Sequence, residues 1–262
     1  MADLLQLLLL GAVAGFTIFL GLPVVLFGVG DRIRGFLNSL AIGILLFLII
    51  EIFSHVWEEV EVAALSAFRG SSPASTAAGY LGLMFGGVAL GLVGLVLYER
   101  RYMAAGTSGM STAQRLSMMI ALGIGAHNLS EGLAIGQSYA SGEFGLAVVL
   151  IIGFGAHNST EGFGITAPLV GMDPKPKASF LAKVLFIGGA PTFFGTLIGS
   201  QFSSAWAYIL FLSLAGGALV YVTMTMFNTG RKQYSSNLMM TGIFIGLAAG
   251  FLTDLIVVLG GA

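Results

Sequence analysis

The chain has 262 residues, of which 56% are hydrophobic and only 9% are Asp, Glu, Lys or Arg. A soluble domain carries about a quarter charged residues, so this composition excludes an ordinary water-soluble enzyme. The net charge of −1 excludes the basic surface that nucleic-acid binding requires. With no cysteine in the chain, disulfides, thiolate metal sites and a cysteine nucleophile are excluded as well.

Eight apolar stretches are long enough to cross a bilayer as helices, which takes about 20 residues each. They fill the chain from end to end, so we expect an all-α polytopic membrane protein with a single integral domain over residues 1–262. The eight predicted helices lie at 4–28, 35–60, 78–98, 116–139, 145–168, 179–200, 204–227 and 237–259.

The basic residues fall on alternate connections between these helices. Ten of the 11 lysines and arginines belong to the connections after the first, third, fifth and seventh helices, and Arg69 belongs to the other set. Because basic loops stay in the cytoplasm, the pattern predicts a multi-pass protein of the cell membrane with both termini outside. The ten residues are Arg32, Arg34, Arg100, Arg101, Arg115, Lys175, Lys177, Lys183, Arg231 and Lys232.

The second predicted helix ends in a polar cluster. Glu51, His55 and Glu58 are spaced so that they share one helix face, and Glu59 follows directly. On the predicted topology this face lies at the outer end of the helix. One interpretation is an acidic vestibule that attracts and partly dehydrates a cation. The other is a set of interfacial polar residues beside Trp57, a residue type that anchors helices at the membrane surface.

The fourth and fifth predicted helices carry a repeated polar motif. Residues 123–132 read GIGAHNLSEG and residues 153–162 read GFGAHNSTEG, so seven of ten positions agree. In each copy a histidine and a glutamate are four residues apart and share one helix face. The repeated polar residues are His127, Asn128, Glu131, His157, Asn158 and Glu161.

The two copies lie at equal distances from a short turn near residue 144. On an antiparallel hairpin they therefore face each other at one level, about 15 residues or roughly 22 Å from the turn. In a hydrocarbon core about 30 Å thick this level is near the midplane. An ionisable group there costs on the order of 3 kcal/mol, so we expect it only where a bound ion, a relay or a pathway compensates.

Imidazole nitrogen and carboxylate oxygen without sulfur suit Zn²⁺, Fe²⁺, Mn²⁺, Co²⁺ or Ni²⁺. Ca²⁺ and Mg²⁺ favour more oxygen ligands and no histidine. The motifs therefore predict a site for a divalent transition metal between the fourth and fifth helices. The same cluster would also suit an intramembrane metal-dependent hydrolase, in which metal-bound water attacks an amide or ester, and that alternative stays open at this point.

The paired His-Asn-x-x-Glu-Gly motifs, the eight helices and the glycine-rich spans resemble the ZIP (Zrt/Irt-like protein) family of divalent metal transporters. The resemblance implies a transporter that moves a divalent metal toward the cytoplasm. Zinc is the first expected substrate and iron(II) the next, with manganese, cobalt and cadmium as further substrates. The metal is cargo, and no prosthetic group is implied. The expected partners are the metal ion and the lipid bilayer, and a homodimer is left open.

The resemblance also implies roles for the motif residues. The first histidine and both glutamates would form the primary transport site, with the glutamates bridging to any second metal. The other repeated residues would complete that site or form an adjacent second one. The primary set is His127, Glu131 and Glu161, and the remaining set is Asn128, His157 and Asn158.

Three positions depart from the family pattern. Ser130 and Thr160 stand where the family usually has a proline before the glutamate. Because a hydroxyl bends a helix less than proline does, we expect straighter helices here. Ala190 stands before Pro191, where the family often has a glutamate. This departure implies one strong metal site and at best a weak second one.

Overall fold

The computed structural model describes residues 2–26, 30–102, 109–140, 142, 144–201 and 204–259. The helices are α1 (Ala2–Phe16), α2 (Pro23–Leu26), α3 (Asp31–Phe68), α4 (Ala74–Tyr102), α5 (Thr112–Ala140), α6 (Phe144–Thr166), α7 (Ala178–Gly199), α8 (Ala205–Gln233) and α9 (Ser236–Leu259). Two short 3₁₀ turns, Thr17–Gly21 and Ala167–Leu169, follow α1 and α6.

Seven helical segments in this part of the chain are long and apolar enough to cross a membrane. They are residues 4–26, which join α1 to α2, and most or all of α3, α4, α5, α7, α8 and α9. Helix α6 has 23 residues and carries the second copy of the polar motif. The all-α membrane architecture is confirmed, and an eighth crossing by α6 stays a prediction.

The first predicted helix, 4–28, is not continuous. α1 ends at Phe16, and α2 begins at Pro23, whose missing N–H is harmless in the first turn of a helix. The 3₁₀ turn between them lies against α6, because a Cβ on Gly21 would fall 2.2 Å from the carbonyl carbon of Gly162. This tertiary contact, which an apolar pattern does not register, accompanies the early end of α1.

The second predicted helix, 35–60, is longer than expected. α3 runs to Phe68, and its 38 residues span about 57 Å at the usual helical rise of about 1.5 Å. This length is nearly twice the hydrocarbon thickness of about 30 Å. The polar cluster of residues 51–59 therefore lies inside α3 and not at its outer end, which corrects the predicted position.

Glycines bring particular helices into backbone contact. A Cβ on Gly132 of α5 would lie 2.1 Å from the carbonyl oxygen of Thr192 on α7. A Cβ on Gly195 of α7 would lie 2.3 Å from the carbonyl oxygen of Leu129 on α5. Such reciprocal small-residue contacts allow membrane helices to pack closely, so α5 and α7 form a tight pair.

The same reciprocal contact joins α3 to α9 through Gly43 and Gly246, and α4 to α8 through Gly91. Helices α5 and α8 meet differently, because Gly123 faces the side chain of Leu219, whose Cδ2 would lie 3.0 Å from an added Cβ. Backbone contacts are harder to adjust than side-chain contacts. The α5–α8 interface is therefore more adjustable than the glycine-paired interfaces.

The largest apolar core lies between α3, α5 and α8, where Leu48, Ile120 and Leu219 are fully buried. Ile124 and Ile120 precede His127 on α5 by about one and two turns. The part of the core around Ile120 and Leu219 therefore forms an apolar layer on one side of the motif level.

Several basic connections meet beyond this layer. Arg34 donates a hydrogen bond to the carbonyl oxygen of Gly171 at 3.4 Å, and Lys175 donates one to the carbonyl oxygen of Leu26 at 2.9 Å. A cavity of about 1380 Å³ lies here, lined by the first turns of α3, α5 and α9 and the last turns of α8. Residues in or next to all four connections that carry the basic residues line this cavity, so these connections meet at one end of the described structure.

Candidate metal centre

The two motif copies meet inside the helix bundle. The Nδ2 atom of Asn128 on α5 lies 2.7 Å from the Oδ1 atom of Asn158 on α6. These asparagines hold equivalent positions in the repeat, and both are fully buried. The copies therefore lie at the same level on facing helices, as their equal distance from the turn predicts.

His127, Glu131 and Glu161 lie side by side at this level. The Nε2 atom of His127 is 3.4 Å from Oε1 of Glu131 and 3.9 Å from Oε1 of Glu161. The three side chains are at most 5% exposed. One nitrogen and two carboxylate oxygens thus converge from α5 and α6 in a volume shielded from lipid and bulk water.

Glu131 has unsatisfied oxygens. Both carboxylate oxygens are buried and receive no hydrogen bond from the residues that the structure describes. Burying a carboxylate without a donor or counter-charge is costly in a low-dielectric interior. A divalent cation between Glu131 and His127 would supply that compensation, so the donor set fits a bound metal.

The three proposed ligand side chains are not all at the spacing that a bound metal requires. Among the described side chains, no group of three His, Cys, Asp or Glu residues is gathered closely enough to hold a metal. Zinc binds nitrogen and oxygen at about 2.0–2.2 Å, which places two tetrahedral ligands about 3.4 Å apart. The Nε2 atom of His127 and Oε1 of Glu131 have this spacing, whereas Oε1 of Glu161, 3.9 Å from Nε2, would have to move inward around an ion. His157 lies on α6 next to Asn158, but its side chain is outside the described part of the structure.

Hydrogen bonds hold this level together. Asn128 also donates to Oε2 of Glu161 at 2.8 Å and to the carbonyl oxygen of Gly188 on α7 at 3.0 Å. Asn158 donates to the carbonyl oxygen of Ala14 on α1 at 3.0 Å. Sequence reasoning missed Ala14 and Gly188, because every residue has a backbone carbonyl group and the sequence does not show which of them accepts a hydrogen bond.

The helices that carry the motifs are unbroken, as the absence of motif prolines predicts. Ser130 bonds back to the carbonyl oxygen of Ala126 at 3.4 Å, and Ser159 bonds back to that of Gly155 at 2.9 Å. Such bonds to the preceding turn satisfy a hydroxyl without breaking the helix. α5 and α6 therefore present their polar residues from regular helical positions.

Glu51 is more buried within the helix bundle than a residue of an open vestibule would be. Its Oε2 atom is buried, and its carboxylate interacts electrostatically with Glu131, Glu161 and Asp254. Glu51 of α3 therefore lies within electrostatic range of the motif carboxylates, although the sequence groups it with His55.

The other predicted vestibule residues are more open. His55 and Glu58 are exposed and Glu59 is half-buried. His55 interacts electrostatically with His127, Glu58 and Asp254. Tyr208 of α8, which sequence reasoning missed, interacts with glutamates of both the outer and the motif level. The polar groups of the two levels, which we call the polar track, therefore lie within electrostatic range of one another.

The fold is that of a helical membrane protein, and histidine and carboxylate groups are enclosed within its bundle. A family model described as "ZIP Zinc transporter" matches residues 99–253, more than half of the chain, including α5 and α6. The chain belongs to the ZIP family, whose members are transporters of divalent metals and not enzymes. The hydrolase alternative is therefore wrong. A comparison with curated proteins finds no significant match.

Proposed function

We propose that the chain carries a divalent transition metal toward the cytoplasm through a site of His127, Glu131 and Glu161, with the other three repeated residues around it. The pair of buried Glu131 oxygens without hydrogen-bond donors, beside His127 Nε2, carries this proposal. Nitrogen and oxygen ligands without sulfur suit zinc and iron(II) alike. Membership of the ZIP family puts zinc first and iron(II) next, with manganese, cobalt and cadmium as further substrates.

The proposed topology has eight membrane crossings. Helix α6 packs against α1, α3, α5 and α9, so its polar motif is enclosed by protein and it crosses with its neighbours. The basic end of the bundle then faces the cytoplasm. Both termini lie outside, and the chain resides in the cell membrane.

The proposed route follows the polar track. His55 and Glu58 attract the hydrated ion, and the motif level captures it. The apolar layer around Ile120 and Leu219 separates that level from the cavity at the basic end. Release of the metal requires this apolar layer to open. The contacts between α5 and α8 suit such a rearrangement, because they are made by side chains, which adjust more easily than backbone atoms.

Metal flux into proteoliposomes tests the function. Zinc, iron(II), manganese, cobalt and cadmium are offered separately to purified wild-type chain and to the double variant His127→Ala/Glu131→Ala, with protein-free liposomes as the blank. We expect saturable uptake that the double variant loses while it keeps the wild-type size-exclusion profile. Uptake retained by the variant would contradict the site, and tight binding without any flux would contradict transport.

The outer residues are expected to affect capture more than turnover. In separate variants, His55→Ala and Glu58→Gln should raise the apparent KM about 3- to 10-fold, because they weaken electrostatic focusing of the cation. The maximal rate should stay near wild type. Uptake kinetics at low and high salt measure this, with Glu61→Gln, an exposed glutamate on the same helix, as the control. A lost maximal rate with unchanged KM would contradict the vestibule.

A further inference from the structure

Three oxygen atoms converge on the amide nitrogen of Asn128. Oδ1 of Asn158 lies at 2.7 Å, Oε2 of Glu161 at 2.8 Å and the carbonyl oxygen of Gly188 at 3.0 Å. A primary amide has two N–H groups, so the acceptors outnumber the hydrogens. An oxygen cage of this kind, which includes a carboxylate oxygen, has the character of a cation site.

The orientation of both amides follows from their partners. Asn158 donates through Nδ2 to the carbonyl oxygen of Ala14, so its Oδ1 faces Asn128. Turning the Asn128 amide by 180° would set its own oxygen against three acceptors with no donor between them. The orientation of an amide is assigned from such hydrogen-bond networks. Here the network requires that Nδ2 of Asn128, and not its Oδ1, faces the three oxygen atoms.

The cage divides the two oxygens of Glu161 between two roles. Oε2 accepts from Asn128, whereas Oε1 faces Nε2 of His127 at 3.9 Å. The carboxylate is fully buried, so the amide donor stabilises its charge and fixes its rotation. Oε1 of Glu161 therefore faces the volume that lies between His127 and Glu131.

We propose that the amide group of Asn128 takes the place of a second cation, so that the centre holds a single transported metal ion. Asn128 and Asn158 are then positioning residues: Asn158 is tied to Ala14 and orients Asn128, which holds Glu161 for the metal. This inference rests on the proposed function, because it takes the volume beside His127 and Glu131 as the transport site.

Metal content tests the inference directly. The full chain is purified into lipid nanodiscs, equilibrated with zinc and dialysed, and metal and protein are quantified by mass spectrometry and amino-acid analysis. We expect about one zinc ion per wild-type chain. Asn128→Asp keeps the side-chain shape, removes both N–H groups and adds a fourth oxygen, so we expect about two zinc ions per chain, a twofold rise. Asn228→Asp, at an exposed position of α8, should stay at about one.

Each outcome decides the matter. Two ions in the wild-type chain, or one ion in a folded Asn128→Asp chain, would overturn the role of the amide while leaving transport intact. No zinc in the wild-type chain would overturn the proposed function and this inference together, which the flux assay reports separately. If Asn128→Asp does not fold, the wild-type count still decides between one ion and two.

Discussion

Replacing Glu131 by alanine is expected to abolish metal uptake. The side chain supplies two buried oxygens without donors next to His127, and no other described side chain on α5 supplies a carboxylate at this level. Loss of an outer-shell partner of a metal costs about 10- to 100-fold. Loss of a proposed ligand should therefore reduce the initial uptake rate by more than about 100-fold, measured in proteoliposomes at equal protein content.

Two further variants separate charge from volume and from surface effects. Glu131→Gln keeps the size but removes the negative charge, and it should be nearly as inactive as Glu131→Ala. Glu61→Gln removes an exposed glutamate of α3 and should transport normally. Normal uptake by well-folded Glu131→Gln would show that the carboxylate is not a ligand.

Replacing Gly132 by alanine is expected to prevent stable folding. The added Cβ would lie 2.1 Å from the carbonyl oxygen of Thr192, and a backbone atom of a packed helix yields far less than a flexible side chain. Overpacking typically costs about 1–3 kcal/mol, and a contact this short should reach or exceed the upper end. Thermal scanning in detergent, read by size-exclusion chromatography, should show a much lower midpoint or no monodisperse peak.

Gly82 and Gly86 of α4 provide the matched control, because a Cβ on either would meet nothing within 4 Å. Alanine is up to about 1 kcal/mol better than glycine inside a helix. Gly82→Ala and Gly86→Ala should therefore be neutral or slightly stabilising. A Gly132→Ala chain as stable as these controls would contradict the tight packing of α5 on α7.

Much of the arrangement could be predicted from residue pattern alone. Continuous apolar stretches placed the long helices to within a few residues at most ends, since lipid requires that backbone groups bond within the helix. The repeated motif also predicted that Asn128 and Asn158 face each other, because equal distance from a turn means equal level on two antiparallel helices. The distance of 2.7 Å between Nδ2 of Asn128 and Oδ1 of Asn158 agrees with that geometry.

Other features required tertiary information. The early end of α1 goes with the close approach of Gly21 to Gly162, which no local pattern contains. The depth of Glu51 was missed because α3 continues to Phe68 and the topology estimate took the helix to end near residue 60. The acceptors on Ala14 and Gly188 are backbone atoms, whose use depends on which helices become neighbours.

The helices that hold the motifs also constrain how the protein is made. α5 has the lowest mean hydropathy of the seven long apolar segments and is the most buried of them, and α6 falls outside that group. A polar side chain that meets hydrocarbon during synthesis raises the cost of insertion. If α5 and α6 leave the translocation machinery as a hairpin, Asn128 and Asn158 satisfy each other before lipid surrounds them. Biogenesis should therefore favour joint release of this hairpin, beside an α1 that already offers the carbonyl group of Ala14.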